Sequence, residues 1–177
     1  SAGFPHSFSV SSDGLITGIP TNSDAINSPI NVMLIAIDTS GHYVINQFIL
    51  EIENVNDNPT TTIIPNAVGT EGTEFNLEIS NSFSDIDIPA GDSLTFTSGD
   101  LPDSLIINEH CIITGTPTND DAINSPIEIT VTATDSEGSQ ITNNFFLTVQ
   151  NINNAPIAIN NGSTVIATED SDFQLDS

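Results

Sequence analysis

Hydrophobic and polar residues alternate with period two along much of this chain. Ile127, Ile129, Val131 and Ala133 alternate with Glu128, Thr130, Thr132 and Thr134. Ile141, Phe145, Leu147 and Val149 continue the pattern, and Val44, Phe48, Leu50 and Ile52 repeat it earlier. Successive strand side chains point to opposite faces, so this pattern predicts strands with one buried and one wet face. Phe75, Leu77 and Ile79 predict another, as do Leu94-Thr95-Phe96, Leu105-Ile106-Ile107 and Ile112-Ile113-Thr114. Turn-forming clusters separate them: Ala90-Gly91-Asp92, Leu101-Pro102-Asp103, Pro117-Thr118-Asn119-Asp120 and Ser136-Glu137-Gly138. No window sustains a helical period. Short strands separated by frequent turns predict an all-β sandwich. Ile129, Val131, Phe145, Leu147 and Val149 are expected to face inward.

The chain also repeats itself. Ile16-Thr17-Gly18-Ile19-Pro20-Thr21-Asn22 falls on Ile113-Thr114-Gly115-Thr116-Pro117-Thr118-Asn119 at a shift of about 97 residues. The match runs without a gap from Phe4 to Pro59. With one residue inserted, Thr70-Glu71-Gly72 falls on Thr168-Glu169-Asp170, and Phe75 on Phe173. Residues 1–57 therefore read as the closing part of one unit, 58–154 as a whole unit and 155–177 as the opening of a third. The whole unit is expected to be a seven-stranded antiparallel sandwich. The two ends suggest a window cut from a longer array. The alternative is a subunit whose opening segment completes a neighbour, head to tail.

Charge changes the picture. The chain carries 24 Asp plus Glu and no Lys or Arg, for a net charge of −24. Phosphate recognition rests on Lys and Arg, so nucleic acid is excluded as a partner. Anionic membrane surfaces are excluded on the same ground. No run is long and apolar enough for a membrane helix. The opening residues lack the basic and apolar regions of an intact signal peptide. Self-repulsion at this charge destabilises a compact state unless counterions bind. Ion pairs can form only through His, and the single Cys111 allows no internal disulfide. Metal is the remaining staple.

The oxygen-rich stretches fit that need. Asn54-Val55-Asn56-Asp57-Asn58-Pro59 follows a predicted strand and is closed by proline, which cannot continue a sheet. It returns as Asn151-Ile152-Asn153-Asn154-Ala155-Pro156. Asp85-Ile86-Asp87 lies just before Gly91, Asp135 ends a strand, and Asp38 is its counterpart. Glu71 opens the whole unit and Glu169 falls on it. Asp, Glu and Asn supply the hard oxygens that Ca²⁺ takes in sixes to eights. Any one of them alone reads as turn chemistry; the clustering of acids at predicted domain ends favours Ca²⁺. Asp92 divides evenly between ligand and turn residue. His6, His42 and His110 fall at unmatched positions, which argues against zinc. Cys111 has no catalytic partner signature and reads as structural. The paired carboxylates lack the aromatic platform of a glycosidase, so no enzyme activity is expected.

Taken in order, Asn-x-Asn-Asp-Asn-Pro, Asp-x-Asp before Gly-x-x-Leu-Thr-Phe, Ala-x-Asp-x-x-Gly and an early Glu-Gly-Thr resemble cadherin repeats. Leu101-Pro102-Asp103-Ser104-Leu105 followed by Ile113-Thr114-Gly115-Thr116-Pro117-Thr118-Asn119 narrows the likeness to the bacterial cadherin-like repeat, also called the dystroglycan-type cadherin-like or putative Ig domain. The resemblance covers nearly all of the chain. It implies tandem Ig/cadherin-like antiparallel β-sandwich repeats with Ca²⁺ between them. Carried over, Asn54, Asn56, Asp57, Asp85, Asp87 and Asp135 would serve the first junction. Glu71, Asn151, Asn153 and Asn154 would serve the next. The chain departs in two ways. Its linker is one residue shorter before the proline, and the second linker has no Asp, which should weaken that junction. The resemblance implies a secreted or cell-surface, calcium-rigidified spacer of a long adhesin or filament. Its partners would be neighbouring repeats of the chain or fibre, or a surface glycan or protein. A carbohydrate-binding or accessory module of a secreted polysaccharide-active protein is the alternative; it would want an exposed aromatic strip, and Tyr43 with scattered Phe makes a poor one.

Overall fold

A computed structural model of the protein describes residues 4–153 and Glu169. The early part holds β1 (Phe8–Val10), β2 (Ile16–Gly18), helix α1 (Asn22–Ile26), β3 (Ile30–Ile37) and β4 (Tyr43–Leu50). Strands β5 (Thr60–Thr61), β6 (Ala67–Thr70), β7 (Phe75–Glu78), β8 (Phe83–Ser84) and β9 (Thr95–Thr97) follow. Then come β10 (Leu105–Ile107), β11 (Ile112–Gly115), helix α2 (Asn119–Ile123), β12 (Ile127–Thr134) and β13 (Gln140–Gln150).

Residues 58–153 form two sheets face to face, with strand orders β10-β11-β7 and β6-β13-β12-β9. The short pair β5-β8 joins neither ladder but is tied to β13 by the Asn143 amide, which donates to the Thr61 hydroxyl at 2.8 Å and the Thr62 carbonyl at 2.6 Å. The alternation read from the sequence sets the layers. Ile129, Val131, Phe145, Leu147 and Val149 are all buried, and with Ile113, Leu105, Phe75 and Phe83 they form the core. Their polar neighbours on β12 and β13 face outward. Phe83 and Phe96 meet edge to face at 5.5 Å, closing the core on one side.

Two features differ from expectation. The sandwich is not wholly antiparallel: β13 pairs with β6 in parallel, Leu147 opposite Ala67. Alternation fixes which face a strand buries but not the direction of its neighbour, so this pairing is invisible in the pattern. Pro117-Thr118-Asn119-Asp120 is not a plain turn but the start of α2. Asp121 accepts from the Thr118 N–H at 2.7 Å, the Thr118 hydroxyl at 2.8 Å and Ser104 at 2.7 Å. Thr21 and Asp24 build the same capping box at α1, with Ser7 bonded to Asp24 at 2.6 Å. Thr-x-x-Asp is a capping-box signal, too brief to register as a helical period.

The two copies of the repeat agree in detail. The β3–β4 hairpin pairs Val32 with Phe48, and β12–β13 pairs Ile129 with Phe145. Ser28-Pro29 and Ser125-Pro126 are both cis. The Ser28 hydroxyl accepts from the Ile52 N–H at 2.8 Å, and that of Ser125 from the Val149 N–H at 2.7 Å. Gly115, at φ 150, passes so close to the Ser104 carbonyl that a β-carbon there would overlap it. The described residues contain no helix long and apolar enough to cross a membrane.

Candidate metal centre

Two loops of the unit 58–153, β8–β9 and β12–β13, meet at the end that faces the Asn54–Pro59 linker. Asp85 and Asp87 follow β8, Asp92 closes a short 3-10 turn over Ile88–Ala90, and Asp135 ends β12. One carboxylate oxygen from each of Asp85, Asp92 and Asp135 lies within 4.8 Å of the others. Asp85 is 7% exposed, Asp87 1% and Asp135 5%.

Asp85, Asp87 and Asp92 are each tied down through one oxygen, and Asp135 through both. Asp85 Oδ1 accepts the Asp87 N–H at 2.8 Å. Asp87 Oδ2 accepts the Asp57 N–H at 2.6 Å. Asp92 Oδ1 accepts the N–H groups of Ser93 at 2.6 Å and Ser136 at 3.0 Å, and the Ser136 hydroxyl. Asp135 Oδ1 accepts the Ser139 N–H at 2.7 Å, while its Oδ2 takes the Asn56 amide at 2.9 Å. What remains is informative. Asp85 Oδ2, Asp87 Oδ1 and Asp92 Oδ2 are buried without any hydrogen-bond partner. An unpaired buried carboxylate oxygen is costly, and this chain has no Lys or Arg to meet it.

The charges interact as this geometry requires. Burial, reinforced by Asp92, Asp87 and Asp135, pushes the Asp85 carboxyl above its ordinary value against the pull of the Asp87 N–H. The Ser136 hydroxyl and N–H hold Asp92 low. The Asn56 amide does the same for Asp135, outweighing its partial burial. Hard oxygens converging from two loops suit Ca²⁺ rather than zinc or a redox metal.

Of the residues singled out in the sequence, Asp85, Asp87, Asp92 and Asp135 come together, with Asn56 and Asp57 bonded to them. Asp92 belongs with the group, although the sequence left it undecided. Glu71 is held elsewhere: its Oε2 accepts from the Asn151 amide at 3.0 Å and the Ile152 N–H at 3.1 Å. Asn54 and Asn153 are exposed, as is Glu169 in a turn. Asn154 lies outside the described residues. Asp38, the counterpart of Asp135 in the earlier unit, lies away from this group at an exposed hairpin tip, bonded to the N–H groups of Ser40 at 2.8 Å and His42 at 2.9 Å, and paired with the His42 ring at 3.2 Å. The His42 N–H and then the Ser40 N–H hold its carboxyl low. Those donors satisfy it locally.

Sequence reasoning missed two contributors. Asn22, in the first turn of α1, donates to Asp57 Oδ2 at 2.5 Å and so bonds the earlier unit to the linker. Its repeat counterpart Asn119 accepts from Asn151 at 3.0 Å. The shared capping-box position was the available signal. Ser136 is the other, since its hydroxyl and N–H fix Asp92.

A family model described as a putative Ig domain matches residues 58–150. No curated protein matches the sequence. Among solved structures, human mucin-like protocadherin EC1-2 is similar at 16% identity and a TM-score of 0.60, over 84% of this chain and 80% of that one. The human desmocollin-1 ectodomain is similar at 18% identity and a TM-score of 0.43, over 83% of this chain and 32% of that one. The endo-fucoidan hydrolase MfFcnA9 is similar at 22% identity and a TM-score of 0.40, over 84% of this chain. This chain spans only 27% of the hydrolase.

Proposed function

The chain belongs to the putative Ig domain family, and from that membership and the carboxylate cluster we propose that it is a calcium-binding structural module of a long extracellular protein. One observation carries the reading: three buried carboxylate oxygens, on Asp85, Asp87 and Asp92, have no partner on the chain. A bound Ca²⁺ supplies the missing counter-charge. Asp85, Asp87, Asp92 and Asp135 hold it, with Asn56 and Asp57 reaching in from the linker. Because the linker residues belong to the segment between two units, binding ties one unit to the next. The module is then a spacer stiffened by calcium and assigned no reaction. Glu71, Asn151, Asn153 and Asn154 serve the following junction, with fewer charges. Adhesion is the use a rigid extracellular spacer fits.

Isothermal titration with CaCl₂ after chelator treatment tests this. Saturable binding, lost in Asp85→Asn and Asp87→Asn variants that keep their β-sheet circular dichroism, is the expected result. Absence of binding to the folded wild-type chain rejects the reading.

A further inference from the structure

The two hairpins β3–β4 and β12–β13 share register and inner face but not outer face. On β12–β13 the outward row is polar but for Phe146, which faces Glu128: Thr132 stands opposite Thr142, Thr134 opposite Gln140 and Thr130 opposite Asn144. The equivalent row on β3–β4 is largely apolar: Ile35 stands opposite Ile45 and Ile37 opposite Tyr43, while Met33 faces Gln47 and Ile49 faces Asn31. Ile35 is 43% exposed, Ile37 68%, Tyr43 68%, Ile45 46% and Ile49 63%. These residues lie on the opposite side of the hairpin from Val32 and Phe48, the counterparts of the core residues Ile129 and Phe145. Completing the sandwich beneath the hairpin would therefore leave them uncovered.

The row is also free of charge on a chain with 24 carboxylates. No residue from Asn31 to Ile37 or from Tyr43 to Leu50 is Asp or Glu. A foreign partner with a basic surface would be drawn to the acidic faces, not to this one. A neutral apolar face asks for a neutral apolar face, and a second copy of this chain supplies one of the same chemistry. Its exposed apolar area is on the order of 500 Å², at the upper end of what a monomer carries. Two such faces together bury about 1,000 Å², the lower bound for a specific interface and the range of a weak, concentration-dependent one.

We infer that the outward face of β3–β4 is a self-association surface, on which two copies of this chain stack hairpin to hairpin through Ile35, Ile37, Tyr43, Ile45 and Ile49. The contact is isologous, each copy presenting the same patch. It joins chains side by side, unlike the end-to-end junctions at the linkers, and does not depend on calcium.

Sedimentation equilibrium of the full 177-residue chain, in calcium and in chelator, tests this. The wild type should be a dimer at high concentration in both. The triple variant Ile35→Thr, Ile37→Thr, Ile45→Thr takes the residues that the second hairpin has at these places, so it should fold and sediment as a monomer. A pair of inward substitutions, Leu34→Thr with Val44→Thr, should leave the dimer in place. A wild type that is monomeric at every soluble concentration overturns the inference. So does a triple variant that still dimerises, or a dimer lost equally in both variants, since the contact would then not belong to this face. Loss of the dimer in chelator alone overturns its independence from the metal while leaving the calcium reading intact.

Discussion

Asp85 shows how one side chain links sequence, burial and metal. Burial and three neighbouring carboxylates raise its carboxyl above the ordinary value of 3.8. In the unfolded chain Asp85 is ionised above that value. In the folded, calcium-free chain it keeps its proton to higher pH. The cost of ionising it in the fold is therefore fully present at neutral pH and is relieved as pH falls through the raised value. The lowered carboxyls of Asp92 and Asp135 act oppositely: their stabilisation is present above 3.8 and is lost only as pH falls through values lower still. In chelator, melting temperature should rise on mild acidification from neutral pH before collapsing in strong acid, and Asp85→Asn should flatten the rise. With Ca²⁺ present the same acidification should lower it, because the proton competes with the metal. A wild-type curve in chelator that only falls would place the repulsion elsewhere. Cys111 is simpler. It is fully buried, and burial pushes its thiol up to about 12. A thiol-specific reagent near pH 8 should label it only in denaturant.

At the scale of elements, substitution reads packing directly. Leu147 is wholly buried on β13 opposite Ile127. Leu147→Ala should cost roughly 2–5 kcal/mol in chemical unfolding, and an unchanged midpoint would contradict the inward register. Asp121→Ala removes the acceptor for three hydrogen bonds at the start of α2. The loss of such a cap should cost about 0.5–2 kcal/mol, and no change would show that α2 does not need its cap. The contrast explains what was legible. The strand from Ile127 to Thr134 was read to its ends, because period-two alternation over a two-faced sheet is long and redundant. Helix α2 was missed because five residues hold less than two turns, and its identity rests on one capping pair. The parallel partner of β13 was missed because strand direction is a property of topology and leaves no local mark. At the carboxylate cluster, Asp85, Asp87 and Asp135 were legible as acids at strand ends. Asp38 stands at the same place in its hairpin as Asp135, and the segments corresponding to Asp85, Asp87 and Asp92 of its own unit are not in residues 1–57.

At the scale of the whole molecule the absence of Lys and Arg becomes a constraint on stability. Among the described residues the ion pairs are His42 with Asp38 at 3.2 Å and His110 with Glu109 at 3.7 Å, both exposed. Exposed pairs contribute little, so repulsion among the acids is left to counterions. Folding gathers Asp85, Asp87, Asp92 and Asp135 at one end of the sandwich, and that is where a divalent ion gains most. A ligand that binds only the folded form stabilises it by RT ln(1 + [L]/Kd), about 2.7 kcal/mol at a hundredfold excess over Kd. On the proposed reading the ion would act beyond the sandwich, since Asn56 is bonded to Asp135, Asp57 to Asp87, and Asn22 of the earlier unit to Asp57. With no ion bound, the cluster would repel itself and the linker's anchor would loosen. Chelator should therefore lower the melting temperature and also broaden the distance distribution in small-angle scattering. Asp57→Ala should separate the two effects. It leaves the buried carboxylates in place, so most of the thermal gain from Ca²⁺ should survive. It also removes the acceptor for Asn22, so the stiffening should be lost. Scattering curves that overlay with and without Ca²⁺ while the melting temperature still shifts would make the ion a staple of one sandwich and not a brace between units.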